Sequence, residues 1–115
     1  MLLNLSNHPS TLWPDNQLKK ALQIYNSVKD LPFPQVSPEF NSDELKELVQ
    51  DYEFKISKAN PTAVHIMGEL TFTHRLVNKL KAIGIPCIAS TTERKVTIEN
   101  NIKTSQFQFV QFREY

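Results

Sequence analysis

The stretch after residues 63–67 has the residue types of an anion-binding site. The apolar run 63–67 ends abruptly in Gly68 and Glu69, and Thr71 and Thr73 follow where a helical pattern begins. A strand that passes into a helix in this way exposes backbone amides at the helix start, and such amides bind phosphates. Gly68 permits close approach of a ligand to the backbone, and the threonine hydroxyls suit phosphate oxygens. The segment therefore predicts where an anionic ligand would bind.

Glu69 is the residue of this segment that conflicts with a phosphate site. Its carboxylate would repel a phosphate unless it caps the following helix or pairs with Arg94. We favour capping or pairing over direct ligand contact as the interpretation of Glu69.

A second polar group, Ser6, Asn7 and His8, directly follows the apolar run 2–5. A histidine in a loop after a strand can donate or accept a proton near neutral pH, so His8 is a candidate acid or base. Ser6 and Asn7 are candidate ligand contacts. The alternative for Ser6 and Asn7 is a turn closed by hydrogen bonds to their own backbone, and the alternative for His8 is an ordinary exposed loop residue.

A third polar group lies in the β-branched stretch that follows Cys87. Ser90, Thr91 and Thr92 are candidate ligand contacts, and Arg94 and Lys95 are candidate partners of an anion. Arg94 can hold a phosphate with two donors, whereas Lys95 acts as a point charge. Neighbouring residues of a strand face opposite sides, so at most one of the two points into a site. A solvated sheet edge is the alternative for both.

The remaining reactive side chains favour structural roles. His65 lies inside an apolar strand and is interpreted as a core or semi-buried histidine. His74 lies in a helix and is expected to face solvent or the rim of the site. Cys87 is the only cysteine, which excludes an intrachain disulfide, and we interpret it as a small buried hydrophobe. Trp13 could stack on a base or cover the end of the core.

Apolar periodicity predicts the elements that position these groups. Strands are expected at residues 2–5, 28–33, 63–67 and 87–98, and a last strand follows a turn at 99–101. Helices are expected from a cap at Asp15, from a cap at Asn41 or Ser42, and over residues 71–83. The resulting order, β-α-β-α-β-α-β-β, predicts a single α/β domain over 1–115. We expect a Rossmann-like, mainly parallel sheet with a C-terminal antiparallel hairpin at one edge.

Such sheets bind ligands beyond the carboxyl ends of their strands, near the point where the strand order reverses. The first and third strands usually flank that point, and the polar groups described above follow the first, third and fourth strands. We therefore expect the three groups to converge on one site.

Composition excludes several classes of function. With 115 residues and a net charge of +1, the chain lacks the charge that long duplex nucleic acid or an anionic membrane would require. The two glycines cannot form a Walker loop or a GxGxxG motif, and no metal-ligand spacing is present, so neither a metal nor another cofactor is expected. No signal peptide and no membrane-spanning stretch are visible, which predicts a cytoplasmic protein.

The opening residues 2–9, LLNLSNHP, resemble the start of small, single-domain CRISPR-associated proteins related to the CARF domain. Segments 65–69 (HIMGE) and 89–94 (ASTTER) extend this similarity over most of the chain. The resemblance implies a Rossmann-like homodimer that binds a cyclic oligoadenylate across its two-fold axis. Several small members are ring nucleases, which cut this second messenger without a metal and so switch off an antiviral response.

In such cleavage a ribose 2′-hydroxyl attacks the neighbouring phosphate and displaces the 5′-oxygen. His8 would then serve as the acid or base, and Arg94 with the amides of residues 68–73 would stabilise the charge on the phosphorane. In a symmetric dimer the ligand would meet each group twice. The apolar last strand could form part of the dimer interface or pack in the core; its aromatic residues are Phe107, Phe109 and Phe112.

Three functions remain open from the sequence. The first is a ring nuclease whose expected substrate is cyclic tetra-adenylate. The second is a module of the same fold that senses or sequesters the nucleotide without cutting it. The third is a structural or interaction protein without a nucleotide ligand.

Overall fold

The computed structural model describes residues 1–115 and contains the predicted succession of strands and helices. The strands are β1 Leu2–Ser6, β2 Val28–Asp30, β3 Ala63–Met67, β4 Cys87–Glu99 and β5 Ile102–Glu114. The helices are α1 Asp15–Tyr25, α2 Ser42–Ala59 and α3 Leu70–Ala82, with a short 3-10 turn at Ser10–Leu12. The sheet order is β2-β1-β3-β4-β5, parallel except for the antiparallel β4–β5 pair at the edge. The predicted α/β class and C-terminal hairpin are therefore confirmed.

The predicted capping chemistry is found at the start of α2 but not at the start of α1. Asn41 caps α2, and Glu44 completes a capping box by accepting from the Asn41 amide. The expected cap at Asp15 was wrong, because Asp15 lies inside the first turn of α1 and the cap position is Pro14, whose side chain makes no capping bond. Pro14 joins the helix through its backbone, because its carbonyl accepts from the amides of Gln17 and Leu18.

Strand β2 ends at Asp30 and is therefore shorter than the predicted strand over residues 28–33. The Leu31 amide still donates to the Asn4 carbonyl, but Pro32 and Pro34 have no amide with which to continue the ladder. Strand β2 is consequently a three-residue edge strand beside β1.

The sheet separates two apolar layers, and strand alternation decides which side chain enters each layer. Leu3, Leu5, Val64 and Ile66 pack in the larger layer, against α2 and α3. The alternate residues of the same strands face α1 in a smaller layer; its buried members are Leu2, Trp13, Ala21, Ala63 and Ile88. The expectation that Cys87 is buried is confirmed, and burial raises the pKa of its thiol to about 11.

The β4–β5 hairpin extends beyond the body of the protein as an arm, which we define as residues 92–108. Every residue of the arm is exposed. The radius of gyration is 15.9 Å, whereas a compact domain of this length would have about 13 Å. Asn100 and Asn101, with φ of 52° and 63°, form the two-residue turn at the tip, the backbone conformation that suits a tight hairpin.

Candidate functional site

A pocket opens at the carboxyl ends of β1 and β3, beside residues 90–92 of β4, on the face of the sheet that α1 partly covers. Its volume is about 570 Å³. Strand β1 has β2 on one side and β3 on the other, so the strand order reverses beside the pocket. The lining residues are Ser6, Asn7, His8, Leu12, Trp13, Pro14, Gln17, His65, Met67, Gly68, Ser90, Thr92, Phe107 and Phe109.

A chain of hydrogen bonds across three strands and α1 lies at the pocket, and we call it the polar network: Asn4, His65, Ser90 and Gln17. All of these except Asn4 line the pocket. His65 Nδ1 lies 2.9 Å from Asn4 Oδ1, and His65 Nε2 lies 2.6 Å from Ser90 Oγ. Gln17 Nε2 donates to the same Ser90 Oγ at 3.0 Å. The network brings together residues that are 61 and 25 positions apart in the chain.

His65 is 2 % exposed, which confirms its interpretation as a buried histidine. Desolvation by burial lowers its pKa to about 4, so the ring is neutral at pH 7. The rings of Trp13 and Phe112 meet it edge-on, with centroids 5.2 Å and 5.8 Å away. His65 is therefore held on its flanks by aromatic packing and at both nitrogens by hydrogen bonds.

The loop after β1 forms one wall of the pocket through a local turn. Ser6 Oγ accepts from the His8 amide at 3.2 Å and donates to Asn4 Oδ1 at 2.9 Å. The His8 carbonyl accepts from Asn4 Nδ2 and from the Trp13 indole, at 2.9 Å and 3.1 Å. These bonds hold the loop through its backbone, and Asn7 and His8 line the pocket.

The start of α3 differs from the predicted open cradle because Glu69 occupies it. The Glu69 carboxylate accepts from the amides of Thr71 and Phe72, at 3.1 Å and 2.8 Å, and from the Thr71 hydroxyl. These bonds lower the pKa of Glu69, the Phe72 amide contributing most. The capping interpretation is thus confirmed, and the alternative of pairing with Arg94 is wrong. Thr73 is buried, and its hydroxyl has no partner within the protein.

The third polar group divides between the two faces of β4. Ser90 and Thr92 line the pocket, whereas the Thr91 hydroxyl bonds to the backbone of Gln111. Ser90 and Thr92 share a face because side chains alternate along a strand. The register shift opposite Thr91 and Thr92 leaves residue 110 of β5 unpaired, so that Phe109 and Phe112 also lie on this face.

The basic residues of β4 lie beyond the pocket, on the arm. Arg94 pairs with Phe107, so its side chain lies on the pocket-side face. Its guanidinium donates to Ser105 Oγ at 2.9 Å. Lys95 faces the opposite side, which agrees with the expectation that at most one of the two points toward a site.

Of the predicted site residues, the pocket collects Ser6, Asn7, His8, Gly68, Ser90 and Thr92. The residues that lie outside it are Glu69, Thr71, Thr73, Thr91, Arg94 and Lys95. The sequence analysis did not assign Asn4, Gln17 or His65 to the site. A polar residue in the middle of each of two apolar strands was the available signal for Asn4 and His65. No group of three or more His, Cys, Asp or Glu side chains is placed to hold a metal ion.

The fold and the pocket define an α/β protein with a candidate ligand site at the switch point of its sheet. The chain belongs to the uncharacterized protein MJ1673 family, whose family model matches residues 1–113. A search of curated proteins finds no significant match, and neither does a search of solved structures. None of the helices is long and apolar enough to cross a membrane.

Proposed function

We propose that this protein binds a cyclic oligoadenylate in the pocket and cleaves it without a metal ion, as a CARF-related ring nuclease would. The observation that carries the proposal is the position of the pocket at the carboxyl ends of β1 and β3, beside the reversal of strand order. Nucleotides bind at this position in open parallel sheets. The same order of strands supports a Rossmann-like description of the fold, and a cytoplasmic location is part of the proposal.

The pocket lining suits a nucleotide. Trp13, Phe107 and Phe109 supply aromatic surface on which an adenine can stack, and each stacked base contributes about 1–3 kcal/mol. Asn7 and Gln17 supply amide groups that can hydrogen-bond to base edges or ribose hydroxyls. The combination of apolar walls with a few polar groups is the usual composition of a small-molecule site.

The cleavage reaction needs an acid or base and a group that stabilises negative charge. His8 lies on the pocket wall and takes the acid–base role that the sequence resemblance implies. Arg94 lies on the pocket-side face of the arm, next to the lining residue Phe107. A ligand that extends past Phe107 would reach the Arg94 guanidinium. This group can exchange its hydrogen bond to Ser105 for one to a phosphate.

The arm supports a homodimer as the working form. Its pocket-side face carries Val96, Ile98 and Phe107, which are 45 %, 74 % and 68 % exposed. The opposite face is mostly polar, with residues such as Glu93, Lys95, Thr97, Gln106 and Gln108. An amphipathic hairpin with an uncovered apolar face is a predicted association surface. A two-fold symmetric ring would then meet two pockets, one from each protomer.

Binding without cleavage is the second candidate, and the charge of the pocket favours it. No Lys or Arg lines the pocket, and Glu69 closes the amides at the start of α3. A site of this kind can hold bases and riboses while giving a phosphorane little stabilisation. An interaction protein, with the arm as its functional surface, is the third candidate.

Incubation with cyclic tri-, tetra- and hexa-adenylate in the presence of EDTA separates these functions. Linear products support the nuclease, and a tight complex with intact ligand supports the sensor. If no cyclic oligoadenylate binds, both nucleotide functions are overturned. Trp13 is the only tryptophan and lines the pocket, so its fluorescence reports binding directly.

A further inference from the structure

The polar network fixes the proton positions on His65. Asn4 Nδ2 donates to Asp30 Oδ1 and to the His8 carbonyl, both at 2.9 Å, and these two bonds orient the amide. Asn4 therefore turns its oxygen toward His65, and an amide oxygen can only accept. His65 Nδ1 must then carry the hydrogen of the neutral ring.

Ser90 must consequently donate to His65 Nε2, which holds the lone pair of that tautomer. Ser90 Oγ also accepts from Gln17 Nε2, so one lone pair is occupied and one remains. Ser90 lines the pocket, whereas the His65 ring is almost wholly buried behind it. A hydroxyl is thus presented to a ligand with a neutral imidazole as its proton acceptor, in the order that activates serine in hydrolytic triads.

We propose that Ser90 is a catalytic proton relay of this site, and that His65 and Asn4 are the residues that position it. This proposal rests on the proposed cleavage of a cyclic oligoadenylate. The ligand's 2′-hydroxyl passes its proton to Ser90 Oγ, and Ser90 passes its own proton to His65 Nε2. The 2′-oxygen forms its bond to phosphorus, the bond to the 5′-oxygen breaks, and the His8 ring, as the general acid, supplies the proton that this oxygen takes up.

The surroundings of His65 allow it to carry a transient charge. Its direct neighbours, Asn4, Ser90, Trp13 and Phe112, do not titrate near neutral pH. Asp30 is the carboxylate behind Asn4, and Ser10 also donates to it from both its amide and its hydroxyl. Asp30 and the negative charge that develops on the phosphorane both favour the imidazolium.

Single-turnover cleavage of cyclic tetra-adenylate in EDTA tests the relay with three variants. Loss of a general base costs about 10²-fold or more in rate, so Ser90→Ala is expected to slow cleavage by that factor while binding the ligand normally. Ser90→Thr, which keeps the hydroxyl, restores most of the rate. Thr97→Ala, which removes a hydroxyl from the polar face of the arm on the same strand, behaves as wild type.

The pH dependence separates a relay from a merely structural serine. The acid limb of kcat/KM should follow His65 and lie near its pKa of about 4, well below the value of about 6.5 of an ordinary histidine base. Nitrogen-15 NMR of the wild-type ring should show the Nδ1–H tautomer, unprotonated from pH 8 to pH 5. An Nε2–H tautomer would overturn the relay without any variant having to fold.

The failures of the two proposals are distinguishable. If the wild-type protein does not cut any cyclic oligoadenylate, the nuclease function fails and the relay fails with it. If the wild type cuts and Ser90→Ala cuts within about threefold of it, the relay is wrong and the nuclease function stands. If Ser90→Ala folds but no longer binds the ligand, Ser90 is a binding group, which also overturns the relay.

Discussion

The carboxylate of Glu69 accepts a hydrogen bond of 2.8 Å from the backbone amide of Phe72, and this bond closes the amino end of α3. The amides that the sequence offered to a phosphate are therefore occupied by the preceding side chain. This arrangement moves the candidate site from the start of α3 to the face of the sheet below α1, where the polar network lies.

Removing this cap should destabilise the protein without affecting the pocket. We expect Glu69→Ala to lower the free energy of unfolding by about 1 kcal/mol, the usual cost of losing an N-cap, as measured by urea denaturation. Glu47→Ala, which removes an exposed carboxylate within α2, is the matched control and should change stability little. Ligand affinity should be the same in both variants; a marked gain in affinity for Glu69→Ala would mean that the amides of α3 belong to the site.

His65 should make stability depend on pH below neutrality. Its folded pKa of about 4 lies below the unfolded value of about 6.5, so the unfolded chain binds more protons between these values. This contribution to stability is complete above about pH 6.5 and is lost as pH falls toward 4. The difference of pKa corresponds to about 3 kcal/mol, measurable by urea denaturation at a series of pH values.

The matched variants for this pH dependence are His65→Gln and His74→Gln. The first removes the titrating group and should flatten the profile between pH 7 and pH 4. The second removes an exposed histidine of α3 and should leave the profile unchanged. Equal profiles for His65→Gln and wild type would show that burial of the His65 ring does not cause the pH dependence of stability.

The Phe33 ring packs so close to the backbone of residue 68 that only glycine fits there. A Cβ built at Gly68 would overlap the Phe33 ring, which packs on Phe72 at a centroid distance of 5.3 Å. Overpacking of this kind costs about 1–3 kcal/mol, so Gly68→Ala should lower the urea midpoint by a corresponding amount. Most of that cost should vanish in a Phe33→Ala background, because the overlapping ring is then absent.

Gly84→Ala is the control for the double-mutant cycle that combines Gly68→Ala with Phe33→Ala. Gly84 has φ of +82° and no atom within 4 Å of an added Cβ. Its substitution should cost about 1 kcal/mol through backbone conformation alone, and the cost should be the same with or without the Phe33 ring. A Gly68 cost that persists unchanged without Phe33 would contradict the packing explanation.

The apolar face of the arm should control association. We expect wild-type protein to sediment as a dimer and the Val96→Ser, Ile98→Ser double variant to sediment as a monomer, because both changes remove apolar surface outside the pocket. Gln106→Ser, on the polar face, should remain dimeric. A monomeric wild type at concentrations well above those used for ligand binding would remove the arm from the interface.

The elements of the fold could be predicted because their signals are local. A short apolar run marked β3, and a candidate cap at Asn41 or Ser42 marked the start of α2. The boundary errors arose where neighbours decide the outcome. Strand β2 stops at Asp30 because of the prolines that follow it, and α1 begins at Asp15 with Pro14, not Asp15, at its cap position.

The candidate site was predicted only in part, because the sequence of a strand does not determine which strand lies beside it in the sheet. The polar residues Ser6 and Ser90, which follow apolar runs, were visible in the sequence and do meet at the pocket. The interpretation of His65 as a core residue was confirmed, but its bonds to Asn4 and Ser90 could not be derived from burial alone.

The sequence by itself determined the order of strands and helices, the antiparallel hairpin and the burial of Cys87, since each depends on periodicity and composition within a short segment. The tertiary structure alone decided that β1 lies between β2 and β3, with Asn4 in register with His65. It also decided that Glu69 folds back on its own helix. Strand pairing and hydrogen-bond partners are set by packing of the whole chain, and for that reason the residues of the polar network became recognisable as a group only in three dimensions.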